Sequence, residues 1–307
     1  MKKTIIFAVI ILRPDHTMFL IADSGSTKTD WLLTSPDTTR DFQFRTAGCN
    51  PYFMSRDDME RLFREVEHKT AQIKSEASLP SQCNIENIWF YGAGCTPGEK
   101  SLQIKTCLEE VFGKDCNAEV SSDMLGAARA LCGTSEGIAC ILGTGSNSCL
   151  YDGSRIVANT PPLGYILGDE GSGANLGKLL VGNLFKDLFG PQLKEEFTAT
   201  YGTAVEIIDR VYKQPFPNRW LASLSPFIHN HLDNDNIRHM VADAFASFFL
   251  RNTASYNRPD LKIGLTGSIA YYYKDLIADT AKELELHLGT ITKSPIEGLK
   301  TFHHDRT

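Results

Sequence analysis

Two short segments combine glycine with small hydroxyls in the way an anion site requires. They are Asp23-Ser24-Gly25-Ser26-Thr27-Lys28-Thr29 and Gly143-Thr144-Gly145-Ser146-Asn147. A turn that aims several backbone N–H groups at one phosphate favours glycine, both for positive φ and for close approach. Either turn alone reads equally as an ordinary hairpin connection. As a pair heading two similar halves they read as a phosphate clamp, with a triphosphate held between two β-turns. The clamp is neither a Walker A loop nor a dinucleotide fingerprint, because G-x-x-x-x-G-K-[ST] and a helix-opening G-x-G-x-x-G are both missing. Asp23 ends a strand, where a carboxylate holds magnesium, usually through water, although Asp is also a common turn former. Lys28 adds positive charge to the same turn, or is simply solvated.

Three further clusters carry chemistry. Asp123 follows a strand end and opens Asp-Met-Leu-Gly-Ala-Ala-Arg-Ala-Leu, so it suits a helix N-cap and equally a base that accepts a proton from a substrate hydroxyl. The run Gly164-Tyr165-Ile166-Leu167-Gly168-Asp169-Glu170-Gly171-Ser172-Gly173 sets two acids among four glycines, a density that suggests close backbone approach to something. Late in the chain, Leu265-Thr266-Gly267-Ser268-Ile269 puts Gly267 and Ser268 between a buried strand and a helix. That is a natural place for a nucleoside or phosphate, or for a plain connection with a serine cap.

The elements that must position these residues follow from hydrophobic periodicity. Met18 opens an apolar strand, the first glycine turn follows, then Trp31-Leu32-Leu33 and the alternating Phe42 and Phe44, a meander of three strands. Ser55 caps a helix carrying Met59, Leu62, Phe63, Val66 and Ile73. A strand at Ile88 to Tyr91, a helix with Ile104, Leu108, Val111 and Phe112, and a strand near Ala118 to Ser121 complete the first half. The second half repeats the opening: strand Ile138 to Leu142, glycine turn, strand Ser148 to Tyr151, and the Asp152-Gly153 hairpin into Arg155 to Ala158. Helices fill roughly 170–256, one with Ile237, Met240, Val241, Ala244, Phe245, Phe248 and Phe249 on one face. A buried strand from Leu261 to Leu265 and a helix from about Ile269 to Leu284 close the unit. The pattern is a structural duplication, with a ligand cleft expected between the halves.

Composition limits the partners. The 307 residues, at roughly 150 per domain, suggest two domains, and 42% hydrophobic content suffices for two cores. A formal charge of -6 gives no footprint for nucleic acid or an acidic membrane surface. Eight cysteines without a CxxC pair suit a reducing cytoplasm, as small core residues. Lys2, Lys3 and the run Ile5 to Leu12 imitate a signal peptide but lack its cleavage site; an added strand, or a start at Met18, is the alternative.

Taken together, Asp23 to Thr29, Ser122-Asp123, Gly143 to Asn147, Gly168-Asp169-Glu170-Gly171-Ser172 and Thr266-Gly267-Ser268 resemble the N-acetylglucosamine kinase branch of the BadF/BadG/BcrA/BcrD-type ATPases, within the actin, Hsp70 and sugar kinase superfamily. The match runs in order from about Met18 to Leu299. It implies an α/β fold of two RNase H-like (actin-like ATPase) domains around an ATP cleft. The domains would be 18–122 and 123–307, the latter with the helical insertion at about 170–256, behind an extension over 1–17. By position, the resemblance makes Asp23, Ser24, Gly25, Ser26, Thr27 and Lys28 the first phosphate loop and Gly143, Thr144, Gly145 and Ser146 the second. Gly267 and Ser268 match the adenosine turn, and Asp123 the general base. Asn50, Asn147, Asp169 and Glu170, with Asp123, fall on the sugar side. Ser24 and Ser26 stand where many relatives have glycine, which a turn tolerates if φ stays negative there. The segment Ser294 to Leu299 looks like the family ending, yet Thr301 to Thr307 is short for a closing helix.

The expected activity is ATP- and Mg²⁺-dependent phosphorylation of an amino sugar, first N-acetylglucosamine at its 6-OH, in the cytoplasm, by a homodimer if family habit holds. Two rivals use the same motifs. A sister branch consists of ATPases that activate an iron-sulfur dehydratase or reductase, for which Cys95 and Cys132 are the candidate ligands. A non-catalytic sugar or nucleotide sensor is the other.

Overall fold

The computed structural model describes residues 17–25, 27–35, 40–79, 83–113 and 115–305. Ser26 and the extension before Thr17 lie outside them. The chain divides into two compact units, one running to Ser121 and one beginning at Ser122.

The first unit contains β1 (Thr17–Ser24), β2 (Lys28–Thr34), β3 (Phe42–Ala47), α1 (Arg56–Glu76), β4 (Asn84–Gly92), α2 (Glu99–Phe112) and β5 (Asn117–Ser122). Its sheet runs β3-β2-β1-β4-β5, with β1 antiparallel to β2 and parallel to β4. β1 lies at the centre, and Met18 through Ala22 are all buried, which is why the strand reads as an unbroken apolar run rather than an alternation. Trp31 anchors the core: it packs on Phe44, Phe63 and Phe90 and donates its Nε1–H to Thr46 Oγ1 at 2.9 Å, so its one polar atom is satisfied. Ser55 caps α1 by accepting the Asp58 N–H at 3.1 Å, as its sequence position predicts.

The second unit begins with α3 (Asp123–Cys132), β6 (Glu136–Leu142), β7 (Ser146–Asp152) and β8 (Ile156–Ala158). Helices α4 (Gly164–Leu167), α5 (Gly173–Leu184), α6 (Pro191–Tyr201), α7 (Ala204–Lys213), α8 (Pro217–Ala222), α9 (Ser225–Asn230) and α10 (Asp235–Phe248) follow. A π-helical turn over Phe249–Thr253 and a 3₁₀ turn over Ala254–Tyr256 lead to β9 (Ile263–Thr266), α11 (Ser268–Tyr272), α12 (Lys274–Glu283), β10 (Leu288–Thr292) and α13 (Ile296–His304). Its sheet runs β8-β7-β6-β9-β10. β6 is antiparallel to β7 and parallel to β9, the relations β1 has with β2 and β4. The duplication inferred from two dissimilar sequences is thus a repeated strand order.

Two expectations are revised here. The helix expected from Ile269 to Leu284 is broken at Tyr273, whose buried hydroxyl donates to the Ser225 carbonyl at 2.7 Å. The short C-terminus does form a closing helix. α13 buries Ile296, Leu299 and Phe302, and Gly298 lies so close to α3 that a Cβ there would overlap the Ala130 carbonyl. No helix among the described residues is long and apolar enough to cross a membrane.

Candidate functional site

The second glycine turn is shaped by α5. The N–H groups of Gly173 and Ala174, in the first turn of that helix, donate to the carbonyls of Gly143 (2.8 Å) and Thr144 (3.1 Å). Across a trans peptide plane the carbonyl of one residue and the N–H of the next point in opposite directions. Pulling those carbonyls toward α5 therefore turns the Thr144 and Gly145 amides away from it, side by side, the arrangement that makes an anion nest. Open space lies where a side chain on Gly143 would stand. None of Gly25, Gly143 or Gly145 has positive φ, which corrects the expectation that these glycines serve a left-handed backbone. Gly145 supplies room instead, since a Cβ there would come 3.0 Å from Asp169 Oδ2. Ser24 also avoids positive φ, so serine is tolerated at that place.

Ser146 completes the loop. Its N–H donates to Asp169 Oδ1 at 3.3 Å, while its buried Oγ has no hydrogen-bond partner. An unpartnered buried hydroxyl costs about 1–3 kcal/mol, so a ligand oxygen that met it would recover a real deficit. Ser146→Ala should leave the unfolding free energy unchanged or raise it, by up to about 1–3 kcal/mol, because no internal bond is lost and an unsatisfied buried hydroxyl is removed. The same variant should raise the KM for ATP roughly tenfold, the worth of a hydrogen bond to a charged group. Denaturant titration and nucleotide kinetics check the two halves, and lost stability with unchanged KM would refute the assignment.

Asp169 adopts φ 55°, a conformation that is uncommon outside glycine. Its N–H donates to the Pro162 carbonyl and its own carbonyl accepts from Ser172 N–H, at 3.0 and 3.1 Å. Burial pushes its carboxyl above the usual range, the Ser146 N–H opposes this, and neighbouring Glu170 adds to the rise. Glu170 accepts from Arg251 Nε at 2.8 Å and Asn252 Nδ2 at 3.1 Å, both in the π-helical turn. The Asn252 carbonyl accepts the Ser148 hydroxyl from β7 at 2.7 Å. Asp169, Glu170 and the second glycine turn therefore share one bonded network. Sequence reading found neither Arg251 nor Asn252; both lie just past an apolar helical stripe, and no local pattern points to Glu170 across 82 residues. Asn147 Oδ1 accepts its neighbour Ser148 N–H and Asn159 Nδ2, both at 2.9 Å.

Ser122, not Asp123, is the N-cap of α3. Ser122 Oγ accepts the Leu125 N–H at 3.2 Å, and Asp123 is the first helical residue, with Oδ1 accepting the Met124 N–H at 2.8 Å. The cap reading of Asp123 fails because the strand runs one residue further than the sequence suggested. Burial raises the Asp123 carboxyl above its ordinary range, and the Met124 bond only partly offsets it. At the late turn the cap position is Gly267, with Ser268 the first helical residue. Gly267 has φ 121°, and an added Cβ would overlap the Leu142 carbonyl and approach Gly143 N to 3.3 Å. That glycine seats the late turn directly against the second glycine turn.

In the first unit, Ser24 Oγ is buried and accepts the Cys49 N–H at 3.0 Å while pairing with Thr29 Oγ1 at 2.8 Å. This ties the first glycine turn to the Gly48–Pro51 segment. Asn50 Oδ1 accepts the Tyr52 N–H at 3.0 Å and rests on Gly94, so its amide NH₂ is the group that can reach a ligand. Lys28 lies on the outer side of β2, paired with Asp30 at 2.7 Å, where Asp30 also meets Arg45 at 2.6 Å. Asp23 is half-buried at the end of β1. Among the described residues no three His, Cys, Asp or Glu side chains cluster as a metal cage. A hard cation that keeps its waters and binds phosphate oxygens needs only one such carboxylate, and Asp23 fits that demand. The sulfurs of Cys95 and Cys132 each fill the space beside a glycine, Gly92 or Gly137, where a Cβ would stand 2.7 Å away.

A scan against protein-family models found no match, and a search of curated proteins also found none. Solved structures do match. A Porphyromonas gingivalis protein provisionally named N-acetylglucosamine kinase is 46% identical, covers 94% of this chain and 99% of its own, and superposes with a TM-score of 0.87. A Chromobacterium violaceum protein with the same provisional name is 17% identical over 94% of this chain and 99% of its own, with a TM-score of 0.72. MreB5 of Spiroplasma citri, bound to ADP, is 11% identical over 95% of this chain and 98% of its own, with a TM-score of 0.53. The last two share the actin-like fold.

Proposed function

The chain belongs to the family of N-acetylglucosamine kinase-like proteins that the Porphyromonas gingivalis protein represents, and we propose that it is an ATP-dependent sugar kinase whose acceptor is N-acetylglucosamine, phosphorylated at the 6-OH. The observation that carries the reading is the Gly143–Gly145 turn, whose outward Thr144 and Gly145 amides, beside the unpartnered Ser146 hydroxyl, suit phosphate oxygens. In this assignment the backbone of Asp23 to Thr27 supplies the first phosphate loop. Lys28 serves through its long-range charge, given its pairing with Asp30. Asp23 holds Mg²⁺ through water, and Gly267 and Ser268 face the adenosine.

Bound ATP with its magnesium supplies the phosphoryl group and neutralises its developing charge. The protein's share is positioning and proton management. Asn50, Asn147, Asp169 and Glu170 make up the sugar side, and Asp123 accepts the proton of the attacking hydroxyl. A base works only when deprotonated, and the Asp123 and Asp169 carboxyls both sit above the ordinary range. The rate should therefore fall as pH drops through a midpoint clearly above the usual aspartate value of about 3.9. A pH profile of kcat/KM checks this, and an acid limb at the ordinary value would contradict it. Cytoplasmic operation and a homodimer belong to the same proposal.

Product analysis tests the reaction itself. Phosphorus NMR of a mixture of protein, Mg-ATP and N-acetylglucosamine should show ADP and one phosphomonoester coupled to the C6 methylene protons. ADP and inorganic phosphate with no phosphomonoester would overturn the kinase assignment.

A further inference from the structure

Glu170 and Asp169 are neighbours in sequence but not equivalent in the fold. Asp169 places its carboxylate at the second glycine turn, against Gly145 and the Ser146 N–H. Glu170 meets different partners: Oε1 accepts from Arg251 Nε at 2.8 Å and Oε2 from Asn252 Nδ2 at 3.1 Å. Glu170 is largely buried, with 15% of its side chain accessible, and Asn252 is 3% exposed. Two charge-assisted bonds to a sheltered carboxylate make a directional clamp.

The π-helical turn explains how Asn252 comes to be there. An extra residue per turn over Phe249–Thr253 leaves backbone groups without their α-helical partners, which is why such turns recur at working sites. Here the Asn252 carbonyl accepts the Ser148 hydroxyl, while its side chain reaches Glu170. Ser148 also pairs with the Tyr256 hydroxyl at 2.7 Å, and that hydroxyl accepts the Thr160 N–H at 3.0 Å. The segment leading into Asp169 is thereby fastened to β7 and to the π turn at once. Beyond Glu170, the Gly171 N–H donates to Asn175 Oδ1 at 3.2 Å, and Gly171 packs against Phe245 and Phe248. Asp169 is thus held at its positive φ by bonds on both sides, as strained functional residues generally are.

We infer that Glu170 is a positioning residue rather than a sugar ligand, clamped by Arg251 and Asn252 so that Asp169 alone presents its carboxylate to the sugar. The inference rests on the kinase reading for the word sugar, but the clamp itself is independent of it.

A donor-acceptor swap tests both parts. Glu170→Gln removes the charge and leaves at best a neutral amide–amide bond to Asn252, and Asn252→Asp puts a carboxylate against Glu170. Each single variant should raise the KM for N-acetylglucosamine by about ten- to a hundredfold, the worth of a charged hydrogen bond, with kcat and the KM for ATP changed less than about twofold. The double variant, Glu170→Gln with Asn252→Asp, re-forms the bond in the reverse sense and should return the KM to within about threefold of wild type. A sugar KM that stays raised in the double variant would make Glu170 a direct ligand and overturn the inference. Urea midpoints of the same four proteins, measured without sugar, should show the same rescue. Additive losses in urea would refute the clamp whatever the sugar does, whereas rescue in urea with no sugar binding to wild type would sink the kinase reading and leave the clamp standing.

Discussion

Asp123→Asn should lower kcat by about 10²- to 10⁴-fold, the range for loss of a positioned general base. The substitution is nearly isosteric, so the fold has little reason to respond. Ser122 still caps α3 through the Leu125 N–H, and the amide oxygen can still accept the Met124 N–H. What is lost is one negative charge in the first helical turn, worth about 0.3–1 kcal/mol against the helix dipole, partly returned because a half-buried carboxylate no longer needs desolvating. Nucleotide affinity should stay within about twofold, because the nucleotide assignments lie on the glycine turns and not on Asp123. Where the wild-type rate descends with falling pH, the variant should lose the part of that descent that belongs to Asp123. Near wild-type turnover would remove Asp123 from the chemistry, and a large fall in ATP affinity would move it to the nucleotide side.

Gly267→Ala should be among the most damaging single-methyl changes in the second unit. Two costs combine. At φ 121° and ψ 166° the backbone occupies a region that is essentially glycine-only, which costs an L residue about 1–3 kcal/mol. The new Cβ would also overlap the Leu142 carbonyl and crowd Gly143 N, so either β9 or the second glycine turn must move. Together these should remove about 3 kcal/mol or more, which for a unit of this size lowers Tm by about 6–12 °C. The KM for ATP should rise as well, because the displaced atoms belong to the proposed phosphate loop. Gly133→Ala is the control: Gly133 also has positive φ, at 60°, but nothing lies within 4 Å of its added Cβ. It should show the backbone cost without the collision and leave ATP kinetics alone. Equal losses in the two variants, with ATP kinetics equally spared, would mean that contact with the Leu142 carbonyl does not matter.

The parts of the fold with strong local signals were legible in the sequence. β1 and β6 are central strands, and their continuous apolar runs identify them without any partner in view. Ser55 announced α1 because a cap is a local bond. Signals that depend on distant partners were lost. β10 is a short strand with no fully buried residue, so nothing in its composition separates it from a loop. The break at Tyr273 depends on Ser225, 48 residues away. The π-helical turn hides behind Phe248 and Phe249, which simply prolong the apolar stripe of α10. Serine and aspartate are both good caps, so Ser122-Asp123 left the register open until strand and helix were placed. Of the candidate site, the glycine turns and the acid pair were found by type and spacing. The division of labour between Asp169 and Glu170 was not, because it lies in which side chain each carboxylate meets.

The central claim is sugar-dependent phosphoryl transfer, and ADP release tests it most directly. Protein with Mg-ATP should be assayed against N-acetylglucosamine, glucosamine, N-acetylmannosamine, glucose and no sugar. The account predicts strong stimulation by N-acetylglucosamine, weaker response to the other amino sugars, and a low rate without sugar. A rate that is the same with every sugar and with none would contradict it.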